Sequence, residues 1–127
     1  MMPPELEADI EHLRAGGHTI EAVEADQRIY LVFRGFPLGQ AYRPDKSDLM
    51  VFTSVQYPNA GFDMFWVGED VVLAATGAPP QSADQLEVYI GRRWRRFSWH
   101  LNRAWNPSHD SLVTWVCTVE ERLRRGV

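Results

Sequence analysis

Ser98 and His100 stand two residues apart in Phe97-Ser98-Trp99-His100-Leu101-Asn102-Arg103-Ala104-Trp105, a stretch that gathers a hydroxyl, an imidazole, a guanidinium and two indoles. On an extended backbone the two side chains point the same way; on a helix they point nearly opposite ways. Extended, His100 can orient or deprotonate Ser98, which is what a nucleophilic step needs. The same residues can also hydrogen-bond the backbone at the edge of a core, and the sequence leaves both readings open. No acidic third member lies nearby in sequence, so Asp63 or Asp110 serves only if the fold brings one close. There is no Gly-x-Ser-x-Gly turn, which disfavours an ordinary hydrolase.

Just upstream runs Arg92-Arg93-Trp94-Arg95-Arg96. With Arg103, these arginines suit docking to an acidic partner or a phosphate. Alternatively they are solvated side chains whose stems shield Trp94 and Trp99. The sole cysteine, Cys117, falls inside the last helix without an electropositive setting, so it is expected to be a small half-buried residue. His100, His109 and Cys117 match no metal-ligand spacing, and no Walker or Rossmann glycine pattern is present. No metal and no cofactor are expected. His12 and His18 have no partner in sequence.

The elements that must position these residues fit a chain of 127 residues, 45% apolar, which is enough for one domain with a core. A net charge of −4 argues against a general nucleic-acid binder. One cysteine excludes an internal disulfide. The start, Met1-Met2-Pro3-Pro4-Glu5, lacks the regions of a signal peptide, and no apolar run nears the roughly 20 residues of a membrane span. The expectation is a cytoplasmic protein that meets no membrane.

Leu6, Ile10 and Leu13 predict a helix over 5–14, stopped by Gly16-Gly17. Strands are expected over 20–24, 27–36, 49–56 and 64–67, with 71–75 continuing the last. The 27–36 strand is apolar on both parities, as at a sheet centre. Residues 37–48 and 76–85 read as loops, and 86–90 as a short extended piece. Ser108 or Asp110 can cap a last helix running to about Arg125, with Leu112, Val116, Val119 and Leu123 inward and Arg122, Arg124 and Arg125 polar. The sum is α+β: an N-terminal helix, a four-stranded antiparallel meander, an irregular crossover and a C-terminal helix.

Tyr57-Pro58 followed by Asp63-Met64-Phe65-Trp66 resembles the tyrosine-proline turn and next strand of the ubiquitin-conjugating-enzyme (UBC) superfamily. Trp94, Phe97-Ser98 and His100, then Trp105-x-Pro107, then Asp110-Ser111-Leu112 before a helix, continue the resemblance. In detail the pattern is similar to the prokaryotic branch called family E, found beside bacterial ubiquitin-like proteins and activating enzymes. The likeness spans roughly residues 20–125, with the 57–66 and 94–112 blocks its specific parts. It implies a single UBC-like domain over 1–127 that carries or hands on a ubiquitin-like protein, with that protein and its activating enzyme as partners.

Where the superfamily places its catalytic cysteine, a short way before the tryptophan of the Trp-x-Pro turn, this chain has Phe97 and Ser98. The His-Pro-Asn motif is also missing. Family E resembles Ser-Arg-His here, against Ser98-Trp99-His100, and Gly61-Phe62 replaces an expected proline. The resemblance therefore implies Ser98 and His100 as the reactive pair, framed by Tyr57, Pro58, Asp63, Trp94, Trp105 and Asp110. Arg92, Arg93, Arg95, Arg96 and Arg103 would meet a partner. Three options follow: an oxyester on Ser98 with His100 as base, an adaptor without covalent chemistry, or a reactive His100, whose acyl-imidazole would be short-lived.

Overall fold

The computed structural model describes residues 1–127. Pro4 at the first turn, with Glu5 and Glu7 early and His12 and Arg14 late, favours α1 (Pro4–Ala15). Leu6, Ile10 and Leu13 form its buried stripe. Strands β1 (Ile20–Ala25) and β2 (Arg28–Pro37) pair around a two-residue turn, Asp26-Gln27, with both residues at positive φ, the primed geometry that matches strand twist. Continuing, β4 (Lys46–Ser54) pairs with β2, and β5 (Phe65–Gly68) pairs with β4, all antiparallel. The expected four-strand meander is thus β1-β2-β4-β5, and β2 lies inside it.

The sheet does not stop there. β7 (Gln85–Tyr89) and β8 (Arg92–Phe97) form a hairpin that joins through β5, so the six strands run β1-β2-β4-β5-β8-β7. The arginine run, expected in an irregular crossover, is strand β8. Its turn is Ile90-Gly91, both at positive φ, and a β-branched isoleucine there gives no sequence signal for a turn. Two further short strands, β3 (Tyr42–Arg43) within the expected 37–48 loop and β6 (Val72–Leu73), pair only with each other. Residues 71–75 therefore leave the main sheet instead of extending β5.

Helix α2 (Leu112–Arg124) starts at Ser111, not at Ser108 or Asp110. The Ser111 hydroxyl accepts from Thr114 N–H while the Thr114 hydroxyl accepts from Ser111 N–H, a capping box. Both helices cover one sheet face. There Ile29, Leu31, Phe33, Leu49, Val51, Phe65, Val67 and Phe97 meet Leu6, Ile10, Leu112, Trp115, Val119 and Leu123. The opposite face bears no helix and holds a second cluster, Tyr30, Val32, Met50, Trp66 and Trp94, edged by Phe52, Met64 and Tyr89.

Two arginines that look like surface residues in the sequence are inside. Arg122 is 2% exposed: its guanidinium donates to the carbonyls of Gln81 (2.7 Å) and Val127 (2.8 Å) and lies over the Phe97 and Trp99 rings. Arg95 is 8% exposed and donates to the carbonyls of Ala83 and Glu69. Between them, Ser98 N–H donates to the Ser82 carbonyl at 2.9 Å. Three consecutive carbonyls, 81 to 83, are thereby pinned, and the loop over 76–85 is tied against β8 and α2.

Candidate active site

Ser98 follows the last residue of β8, and the hydrogen bond from its N–H to the Ser82 carbonyl fixes its backbone. Its side chain is half-buried, and Oγ accepts from Arg96 Nε at 3.1 Å. Arg96 also donates to Glu87 Oε2 at 2.8 Å, and Glu87 Oε1 accepts from Trp66 Nε1 at 2.9 Å. Ser98 thus ends a chain of hydrogen bonds crossing β5, β8 and β7. A guanidinium donor on Oγ favours any negative charge that develops on that oxygen.

His100 finds its acid 37 positions back. The Met64 N–H donates to the Trp99 carbonyl at 3.0 Å, which holds the 98–100 segment alongside the start of β5. His100 Nδ1 then meets Asp63 Oδ1 at 2.6 Å, both side chains being more than half exposed. With the carboxylate as acceptor, Nδ1 carries the hydrogen, and in the neutral ring Nε2 is then the acceptor. Met64 sits at φ +64°, a left-handed conformation that costs an ordinary side chain on the order of 1–2 kcal/mol. Such strain beside a histidine–carboxylate pair is the kind of feature that clusters at functional sites. No hydrogen bond joins Ser98 to His100.

Two hollows flank the pair. One, of about 250 Å³, is lined by Phe62, Asp63, His100, Leu101, Arg103 and Trp105. The other, of about 320 Å³, opens on the helix-free face from Asp63 and Met64 to Phe52 and Arg28.

The framing residues act as a scaffold. Tyr57 is 4% exposed; its hydroxyl donates to Asp9 Oδ2 at 2.5 Å and accepts from Leu112 N–H at 2.8 Å, joining α1 to the start of α2. Burial, and then the Asp9 carboxylate, push its phenol well above its ordinary value. Trp105 Nε1 donates to the Pro58 carbonyl at 2.9 Å, and its ring meets Phe62 edge-on. Asp110 is 6% exposed and accepts two bonds from Arg103, at 2.6 and 2.7 Å, and one from Asn106 N–H at 2.8 Å. The Arg103 hydrogen bonds, aided by the Asn106 N–H and opposed by burial, hold its carboxyl down at about 2.

Trp94 does not join this group. It is fully buried four residues up β8 from Ser98, with Nε1 on the Tyr89 carbonyl and the Arg92 guanidinium over its ring. The arginines do not form a free basic patch either. Arg92 pairs with Asp48, Arg93 with Glu69, Arg96 with Glu87 and Arg103 with Asp110, while buried Arg95 offers almost no surface. Cys117 is exposed where a half-buried residue was expected, because Trp115, Val116 and Val119 turn inward and leave it on the outer face of α2. His12 is exposed, and His18 packs against Phe33 and Phe36. Sequence reading overlooked Asp9, Arg28, Arg96 as the partner of Ser98, and Glu87. Only Arg96, two residues before Ser98 on one strand face, carries a signal that alternation could have revealed.

An antiparallel sheet flanked by an N-terminal and a C-terminal helix, with a tyrosine-proline turn packed on the tryptophan of a Trp-x-Pro segment, defines a UBC-like α+β protein. The chain belongs to the prokaryotic E2 family E, whose pattern it matches over residues 5–126. No curated protein and no solved structure matches it. No helix is long and apolar enough to cross a membrane.

Proposed function

We propose that this protein, in the cytoplasm of a prokaryotic cell, receives the carboxyl terminus of a ubiquitin-like protein from an activating enzyme and hands it on without a cysteine thioester. The Ser98 oxygen attacks the activated carbonyl and forms an oxyester, and the bond to the activating enzyme's leaving group breaks. The Ser98 proton passes through one water to His100 Nε2 and departs with that leaving group. Asp63 holds the imidazole in the tautomer this requires. Arg96 steadies the charge on Oγ, while Tyr57, Pro58, Trp105 and Asp110 keep the 98–110 segment in place. Arg92 and Arg93, now paired with Asp48 and Glu69, meet carboxylates of a partner. The observation that carries the reading is the 2.6 Å contact of Asp63 with His100, two residues from a serine whose oxygen already accepts from a guanidinium.

One observation favours a second reading, a non-catalytic adaptor that binds the ubiquitin-like protein or its activating enzyme. Ser98 Oγ is already engaged by Arg96 and makes no bond to His100. Intact-protein mass spectrometry separates the two, after incubation with the cognate activating enzyme, ATP and ubiquitin-like protein. The transfer reading expects a hydroxylamine-labile adduct that vanishes in Ser98→Ala and drops by roughly 100-fold in rate in His100→Ala. An adduct that survives Ser98→Ala puts the bond on another residue. With a competent activating enzyme and no adduct at all, the adaptor remains, and Arg93→Glu should then weaken partner binding.

A further inference from the structure

The six-stranded sheet has two open edges, β1 and β7, and only one of them is guarded. Residues flanking a two-residue hairpin loop exchange both backbone bonds, and bonded pairs alternate from there. In β1 the outward N–H and C=O groups therefore belong to Ile20, Ala22 and Glu24. Arg14 donates to the Ile20 carbonyl at 2.7 Å and Glu24 places a charge on that edge, devices that stop a further strand from adding. In β7 the same alternation bonds Tyr89, Glu87 and Gln85 to β8 and leaves the N–H and C=O of Leu86 and Val88 facing outward. No loop, helix or side chain of the fold takes them. Their side chains are bare as well, Leu86 43% and Val88 67% exposed. The one charge on the strand, Glu87, points to the helix-free face, where Arg96 at 2.8 Å neutralises it.

We infer that the β7 edge pairs antiparallel with the β7 edge of a second copy of this chain, joining their sheets side by side. Charge complementarity selects this occupant. An apolar, electrically neutral edge gives a charged strand no counter-charge, and what it matches is another apolar, neutral strand of the same spacing. With Glu87 on the two-fold axis, Leu86 of each copy stands opposite Val88 of the other. The outward residues then exchange backbone bonds, and each leucine packs against a valine. On the reverse face the two Glu87 carboxylates come side by side, each already held by its own Arg96. Because β1 is guarded, addition stops at two copies. The inference goes beyond the transfer reading and does not depend on it.

Sedimentation equilibrium of the full chain up to about 1 mM tests this. One short strand is a small interface, so a reversible monomer–dimer equilibrium with a dissociation constant on the order of 100 µM is expected. Hydrogen exchange on the unaltered chain locates the surface. Between about 50 µM and 1 mM the Leu86 and Val88 amides should slow roughly threefold, as mass action fills the dimer, while the Ala22 and Glu24 amides should not change. Val88→Lys should weaken association about tenfold or more. Val88→Pro should do the same without opening the hairpin, since the Val88 N–H holds nothing within the fold. Val23→Lys at the other edge should leave association unchanged. A chain that stays monomeric up to about 1 mM overturns the inference. So does a dimer that survives Val88→Lys while the Leu86 and Val88 amides exchange at one rate throughout. Every measurement uses the chain alone, so the adduct assay can fail without touching this result, and this pairing can fail without touching the transfer reading.

Discussion

A β-carbon at Gly61 would lie 2.0 Å from Cδ2 and 2.3 Å from Cε2 of Trp105. The indole has little freedom to retreat, since Nε1 is bound to the Pro58 carbonyl and the ring abuts Phe62. Gly61→Ala is expected to cost about 1–3 kcal/mol and to shift the Trp105 indole N–H resonance, which reports its bond to Pro58. An unchanged resonance and denaturation midpoint would mean that the 58–62 turn moves aside freely. Glycine at position 61 thus has a local cause, the tryptophan packed against it. That cause is unreadable in a sequence where the two residues stand 44 apart. The Asp63–His100 pair was legible as one of two possible acid partners, and the other, Asp110, is taken by Arg103. Arg28 was not legible at all, because its distinction is the absence of a carboxylate that neighbouring strands supply to Arg34, Arg92 and Arg96 on the same sheet face.

The strap of residues 81 to 83 depends on charge placed where burial is costly. A guanidinium that gives up water must satisfy its donors within the fold, and Arg122 does so on the Gln81 carbonyl. Arg122→Met keeps much of the volume and removes those bonds. The Ser98 amide, which donates to the Ser82 carbonyl, should then exchange its hydrogen roughly tenfold or more faster, as local opening becomes easier by about 1.4 kcal/mol or more. Native-state hydrogen exchange at Ser98 measures this, and unchanged protection would assign the strap to Pro80 and Ala83 packing alone. The helices, β2 and β4 were legible because their burial follows a helical or strand period. Strand β7 was legible as a short extended piece over 86–90, but its hairpin with β8 was not, because Ile90 is an unusual residue for a left-handed turn and four arginines do not read as a strand.

Acid stability belongs to the molecule as a whole. The Asp110 carboxyl, ordinarily near 3.8, is held at about 2 in the folded chain, first by hydrogen bonds from Arg103, against the opposing effect of burial. A folded value below the unfolded one stabilises the protein above the unfolded value, and the gain is lost as pH falls through the folded value. Its size is on the order of 1–2 kcal/mol once the exposure of Arg103 is allowed for. Asp48 acts in the same sense: burial opposes ionisation, but hydrogen bonds from Arg92, the Gly35 N–H and Arg34 outweigh it. Asp110→Asn should therefore lose stability less steeply than the parent chain between pH 4 and 2, with the gap between them closing towards pH 2. Denaturant midpoints measured across that range check the sign, and parallel curves would contradict it.

The sequence alone determined what depends on neighbours along the chain: where periodic apolar residues make helices and central strands, and that Tyr57-Pro58 and the Ser98 to Asp110 block belong to one recognisable pattern. It also showed that the stretch from Phe97 to Trp105 contains no cysteine. Only the tertiary structure decided which acid reaches His100 and which arginines find a carboxylate. Those outcomes turn on strand register and on contacts between residues tens of positions apart. Side-chain periodicity says which face a residue occupies, but it carries no information about which strand lies beside it.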